Sequence, residues 1–214
     1  MSNWILVDFL ICVAYGVQHT ILTTKTAVKI YNYILPAYTW NMVYSIFSVI
    51  TLGLGFKFWE KSGVTIFNIT SENPLFHLFV VSLSLSLFFF FFCFKYTTSF
   101  YQWIGVKQIA MRIKNKKSPE YYRVRKEGIK KYIRFPHHTC LIFFFWLHPV
   151  MTEDTLLLAI MATAYLYLGT WHQDNRGKSL IGEEWIRYQE NTNLLLPGVK
   201  VLKRFFSDLK SSRG

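Results

Sequence analysis

The sequence predicts an all-α, polytopic membrane protein: about five transmembrane helices, the last two a tight helical hairpin, plus cytoplasmic amphipathic helices. Three observations carry this. Of 214 residues, 52% are hydrophobic and 19% aromatic while 17% are charged, against roughly 25% charged in soluble domains. The apolar residues gather into runs close to the roughly 20 residues that a helix needs to cross a bilayer core about 30 Å thick. The net charge of +12 collects in two segments between and after those runs. A basic chain by itself suggests nucleic acid, but the apolar excess argues for a membrane protein with its positive charge on one face, and no nucleic-acid partner is expected. The three cysteines, Cys12, Cys93 and Cys140, each sit inside an apolar run, so neither a disulfide framework nor a zinc site is expected.

Trp4 to Leu22 is the first span, with Asp8 its one charged residue. Lacking a basic leader and a small-residue cleavage pattern, it reads as a retained helix. Ile30 to Phe56 is uncharged, and Pro36 divides it into a short leading segment and a span from about Thr39 to Phe56. Pro74 to Phe94 is free of Lys, Arg, Asp and Glu and contains five consecutive phenylalanines, Phe88 to Phe92. Ser82, Ser84 and Ser86 on it are small enough to let a neighbouring helix approach. Phe135 to Met151 and Thr155 to Trp171 are shorter runs, and the brief Thr152-Glu153-Asp154 turn between them predicts an antiparallel hairpin. The chain reads as one integral-membrane domain: spans over 1–94, a basic segment 95–134, the hairpin 135–171 and a C-terminal segment 172–214.

Lys95 to Arg134 holds 12 Lys and Arg, and Arg176 to Arg213 holds 8 more. The positive-inside rule makes both segments cytoplasmic, the hairpin turn external and, for an odd number of spans, the N-terminus external. Lys57 and Lys61 then fall outside, balanced by Glu60 and Glu72. His77 and His148 read as outer-interface residues. Trp103, Val106, Ala110 and Ile113 recur at helical spacing among Lys107, Arg112 and Lys114, an interfacial pattern. Ser118-Pro119-Glu120 reads as a helix start. Lys116, Lys117, Arg123, Arg125, Lys126, Lys130 and Lys131 predict a face attracted to anionic head groups.

The region Gly128 to Pro197 carries Gly128, Tyr132, Arg134-Phe135-Pro136, Trp146, Pro149, Gly182, Trp185, Tyr188 and Leu194-Leu195-Leu196-Pro197. In order and spacing it resembles the integral-membrane methyltransferase superfamily, which includes isoprenylcysteine carboxyl methyltransferases, methanethiol S-methyltransferases and nurim. That group carries Gly-x-x-x-Tyr-x-Arg-His-Pro before a helical hairpin, then an acidic stretch, Phe-Gly-x-x-Tyr-x-x-Tyr and a terminal Leu-x-Pro. Gln18-His19-Thr20 resembles its Gln-His-Ser, and Trp103-Ile104-Gly105-Val106-Lys107-Gln108 its Phe-Gly-Leu-Arg-Gln, so the likeness spans nearly the whole chain and is strongest to the methanethiol methyltransferase and nurim branch. The chain departs from the pattern at Phe135, where the family has His, at Gln173-Asp174 for its acidic pair and at Asn175-Arg176 for its Arg-Asp. Thr39-Trp40-Asn41 stands near its Glu-Arg-Ser.

The resemblance implies S-adenosylmethionine as donor, entering from the cytoplasm, and a small thiol or lipophilic acceptor entering laterally from the bilayer. No metal is implied. The candidate catalytic residues are His19, Arg134 and His138, and the candidate cofactor-binding residues are Arg134, Pro136, His137, Gln173, Asp174, Arg176, Trp185 and Tyr188. Each carries an alternative. Arg134 is either a snorkelling anchor or a bidentate partner for the donor's carboxylate. Pro136 suits a helix N-terminus, whose free donors and partial charge favour an anionic group. His137 and His138 either pack at the interface or replace the absent family histidine, or the tyrosine two positions after its Pro. His19 either hydrogen-bonds a neighbouring helix or serves the site. Asp174 either meets ribose hydroxyls or the donor's amino group, or pairs with Arg134 or Arg176. Trp185 and Tyr188 share a face, which either packs on the membrane surface or stacks on adenine. Two other functions stay open: a nurim-like protein keeping the fold without catalysis, and a haem-linked redox or isomerase role with His19 and His137 or His138 as axial ligands.

Overall fold

A computed structural model describes residues 3–96, 100–116, 124 and 126–211. In chain order its elements are α1 (Trp4–Leu22), α2 (Lys25–Ile34), α3 (Trp40–Lys57), β1 (Thr65–Asn68), α4 (Pro74–Tyr96), α5 (Phe100–Trp103) and α6 (Val106–Ile113). There follow α7 (Pro136–Trp146), β2 (Val150–Thr152), α8 (Glu153–Ile181), α9 (Glu183–Asn191) and α10 (Val199–Ser211). Packing divides the chain into two units: 1–70, 98–120 and 149–162 form the first, and 71–97, 121–148 and 163–214 the second.

In the first unit, the Thr24 side chain caps α2 by accepting from the Ala27 N–H at 3.2 Å. Pro36 breaks the helix where the sequence predicts, forcing Leu35 into extended backbone before a 3₁₀ turn, Ala37–Thr39, leads into α3. α1 packs on α3 closely at Gly55, where an added Cβ would come within 3.1 Å of the Ile11 side chain. The turn between α5 and α6 rests on Gly105, whose φ of +87° and closeness to the Met42 backbone leave no room for a side chain. β1 pairs antiparallel with β2, with an irregularity between Thr65 and Phe67. Beside this ribbon Asp154 pins the loop after α3. Its carboxylate accepts from Trp59 Nε1 at 3.2 Å, Ser62 N at 3.2 Å and Ser62 Oγ at 2.9 Å. Asp8, fully buried, accepts from the Glu60 N–H at 2.9 Å.

In the second unit α4 packs on α7, and Ser86 donates to the Cys140 carbonyl at 2.5 Å, so this serine permits the close approach expected of it. Ser84 instead returns its hydrogen to Val80 of its own helix.

Four segments among the described residues are long and apolar enough to cross a membrane: Trp4–Leu22, Ala37–Lys57, Pro74–Cys93 and Glu153–Ile181. Their apolar side chains are largely exposed, as at Val49, Phe88 and Phe91, which suits lipid and not water. The protein is an all-α integral membrane protein. α7 and α8 do meet in antiparallel order, His138 with Thr170 at 2.7 Å and Trp146 with Thr163 at 2.9 Å, but not through the tight turn expected. Phe135 to Met151 yields an 11-residue helix, α7, followed by extended chain, because Pro149 and the pairing of Val150–Thr152 with β1 end the helix early. Glu153 and Asp154, read as part of a turn, instead open the 29-residue α8, where acidic residues suit a helix N-terminus. The interfacial pattern of Trp103 to Ile113 is split between α5 and α6 by Gly105. The expected helix start at Ser118-Pro119-Glu120 lies outside the described residues.

Candidate functional site

The candidate residues of the second half lie in the second unit, and backbone pairing places them. Arg134 N–H donates to the Asn193 carbonyl at 2.9 Å, Phe135 N–H to Leu194 at 3.1 Å and Asn193 N–H to Tyr132 at 3.0 Å. This short parallel bridge, with Pro136 at the first position of α7, fixes the Arg134 side chain in the interior.

There it meets Asp174 of α8 in a bidentate pair, Nε to Oδ1 at 2.9 Å and Nη2 to Oδ2 at 3.1 Å, with both side chains under 10% exposed. Arg134 Nη1 turns to the end of α9, donating to the Gln189 carbonyl at 3.2 Å, the Thr192 carbonyl, and Thr192 Oγ1 at 3.2 Å. A cation there satisfies the carbonyls that a helix C-terminus leaves open. Asp174 accepts two more hydrogen bonds, from Trp185 Nε1 at 3.0 Å and Gln189 Nε2 at 2.7 Å. A carboxylate has about four lone-pair sites, and all four are used. Of the two roles open to Asp174 the structure takes the pair with Arg134, and the carboxylate's four acceptor positions are filled within the protein.

Trp185 reaches Asp174 because Gly177, three residues along α8, has no side chain; a Cβ there would fall inside the indole ring. Trp185 and Tyr188 do share a face of α9, but they turn inward to a core with Phe135 and Leu195, not to the membrane surface. The Tyr188 hydroxyl donates to the Lys130 carbonyl at 2.8 Å, and burial pushes its phenol above the ordinary value.

His138 lies in the first turn of α7, its ring stacked on Phe135 at 5.8 Å and 5°, its Nδ1 2.7 Å from Thr170 Oγ1. Thr170 gives its single hydrogen to the Leu166 carbonyl, so it accepts from His138. With that hydrogen on Leu166, Nδ1 is the protonated nitrogen and Nε2 holds the lone pair. His137 stands beside it, ring centroids 4.2 Å apart. Gln173 is exposed and Arg176 half-buried on the same stretch of α8. Thr170, Asp174 and Gly177 follow each other at i, i+4 and i+7, a helical signal that would have revealed Thr170 and Gly177 from the sequence. Gln189 and Thr192 carried no such signal.

His19 belongs to the first unit. It contacts the Tyr44 hydroxyl and Ser48 Oγ, the latter at 3.1 Å, and stacks on Tyr15 at 5.5 Å. This is the helix-to-helix hydrogen bond that was one of its two expected roles. Nearby, Thr51 donates to Gln18 at 3.1 Å.

Comparison with known proteins gives the class first: the chain is similar to membrane methyltransferases. Those it matches carry the name methanethiol S-methyltransferase. One from Pseudomonas deceptionensis is 26% identical over 202 residues, covering 93% of this chain and 76% of the relative. One from Pseudomonas sp. strain GM41(2012) is 26% identical over 90% of this chain and 73% of its own length. One from Bradyrhizobium diazoefficiens is 22% identical over 90% and 67%. No family model matches the chain, and no solved structure does. The likeness runs over nine-tenths of the chain and supports a place among the integral-membrane methyltransferases.

Proposed function

We propose that this protein transfers a methyl group from S-adenosylmethionine to a small thiol of the methanethiol kind. The observation that supports it most is His138, whose Nδ1 is tied to Thr170 so that Nε2 is left as a base. The donor, when bound, supplies a methyl on a positively charged sulfur that is already a good leaving group. What the chain must add is alignment, exclusion of water and removal of the thiol proton. In this reading His138 Nε2 takes that proton, and Phe135, flat against the imidazole, fixes the ring plane and keeps water from it. The Arg134–Asp174 pair acts as a frame, joining the start of α7, α8 and the end of α9, and so positions His138. The groups that touch the donor are then His137, Arg176, Gln173 and the N-terminus of α7 at Pro136. His19 is a positioning residue within the first unit.

We also place the two basic segments in the cytoplasm against anionic head groups. The chain leaves the two-stranded sheet through α4 and returns to it through α7 and the extended Leu147–Pro149. That return path, about 16 Å of helix and 10 Å of extended chain, serves as a fifth crossing. The N-terminus is then external.

The test is binding of S-adenosylmethionine to the protein in nanodiscs, with headspace detection of dimethyl sulfide when methanethiol is supplied. His138→Gln should lower turnover about 10²- to 10⁴-fold, the range of a general base, and leave donor affinity unchanged. Absence of saturable donor binding overturns the reading. A second reading, a nurim-like protein without catalysis, is favoured by Phe135 in place of the family histidine and by the saturated Arg134–Asp174 pair. It requires the purified protein to bind no donor at all.

A further inference from the structure

The C-terminal helix α10 divides along its length into two different edges. One edge is docked. Val201 is buried, Phe205 packs edge-on against the Tyr132 ring at 5.2 Å, and Asp208 accepts the Tyr132 hydroxyl at 2.6 Å. Arg204 lies over the same ring at 5.3 Å and donates to the Lys131 carbonyl. The other edge is bare. Val199 is 71% exposed, Phe206 58% and Leu202 39%, and at 100° per residue these three fall within 60° of one another on the wheel.

Lys210, Lys203 and Lys200 come next around the wheel, all exposed. Asp208 is committed to Tyr132, so the charge presented beside the bare apolar edge is entirely positive. Long basic side chains bordering exposed apolar ones suit the boundary between acyl chains and head groups, where their stems lie on hydrocarbon and their ammonium groups reach outward. Among the described residues the chain already carries four helices long and apolar enough to cross a membrane.

We propose that α10 lies in the plane of an anionic phospholipid leaflet, with Val199, Leu202 and Phe206 in the acyl boundary and Lys200, Lys203 and Lys210 among the phosphates. Zwitterionic lipid satisfies the apolar edge but not the lysines, so anionic lipid is the occupant that the charges select. Through Tyr132 the same helix holds the segment that leads into Arg134, which ties the leaflet to the frame of the site. This rests on the membrane reading and not on methyl transfer, so its failure would leave the donor-binding test untouched.

The experiment places nitroxide labels singly through Val199→Cys, Leu202→Cys, Phe206→Cys, Lys200→Cys and Ser207→Cys, with the labelled unsubstituted chain as background for its own three cysteines. Power-saturation depth is read in nanodiscs of phosphatidylcholine alone and in an equal mixture with phosphatidylglycerol. Labels at 199, 202 and 206 should be relaxed more by oxygen than by a water-soluble nickel chelate, with 200 and 207 the reverse. The contrast should deepen in the mixed lipid and lose that lipid dependence in a Lys200→Gln, Lys203→Gln, Lys210→Gln background. Equal nickel access at 206 and 200 overturns the proposal, as does a depth indifferent to phosphatidylglycerol. Dipolar broadening at 206, the mark of a second copy on this edge, overturns it too.

Discussion

Asp174 receives both the Nε and an Nη2 hydrogen of Arg134 across forty positions of sequence, and then a third and a fourth donor from Trp185 and Gln189. Every lone-pair position of the carboxylate is filled, which makes the pair a joint between three segments of chain.

Breaking one side of a buried pair strands the other charge, a loss of about 3–5 kcal/mol, whereas removing both with apolar residues of similar volume is far milder. Arg134→Ala and Asp174→Ala should therefore each lower the thermal midpoint in detergent more than the combined Arg134→Met, Asp174→Leu change. A double variant as unstable as either single one would contradict the joint.

Gly177→Ala drives a methyl into the Trp185 indole. Overpacking of this kind costs about 1–3 kcal/mol and separates Trp185 from Asp174. Thermal unfolding should show that loss, and Trp185→Leu combined with Gly177→Ala should recover most of the part due to the clash. Gly177→Ala alone leaving the midpoint unmoved would count against the packing described.

Asp154 holds the loop after α3 by three hydrogen bonds from Trp59 and Ser62. Asp154→Ala should free the loop, and trypsin should cut after the exposed Lys61 several-fold faster than in the unsubstituted protein. Cleavage at an unchanged rate would show that the loop is held by something else.

Tyr188 is neutral and buried, with its phenol raised above the ordinary value of 10.0, chiefly by burial. The folded state thus holds this proton more tightly than the unfolded one. The stability it contributes is complete below the unfolded value and drains away as pH rises from there toward the folded one. Alkaline unfolding should begin near pH 10. Tyr188→Phe should flatten that slope while losing about 1 kcal/mol at neutral pH with the bond to Lys130. An unchanged alkaline slope in Tyr188→Phe would assign it to other groups.

Hydropathy and proline placement were enough to find α1, the break at Pro36, α3 and α4, since each depends on local composition and on the length a bilayer demands. The same reasoning miscast Phe135 to Met151 as a full helix. What shortens it is the pairing of Val150–Thr152 with Thr65–Asn68, a partner some eighty residues away that no local pattern announces. At the site, residue types pointed to Arg134, His138, Asp174, Trp185 and Tyr188, because charged and polar groups beside apolar runs need partners. Arg134 was among the partners open to Asp174, but the choice between them, and the partners of His138, Trp185 and Tyr188, depend on packing.

By itself, then, the sequence determined that this chain lives in lipid, that its positive charge gathers in two segments, and which polar residues need explaining. Only the tertiary structure decided that Arg134 and Asp174 pair with each other, that Trp185 and Tyr188 turn inward, and that His138 meets Thr170. Burial and span length follow from composition summed over neighbouring residues, whereas a hydrogen bond is a directional meeting of two atoms. Where residues far apart in the chain meet is fixed by the packing of helices and not by their order.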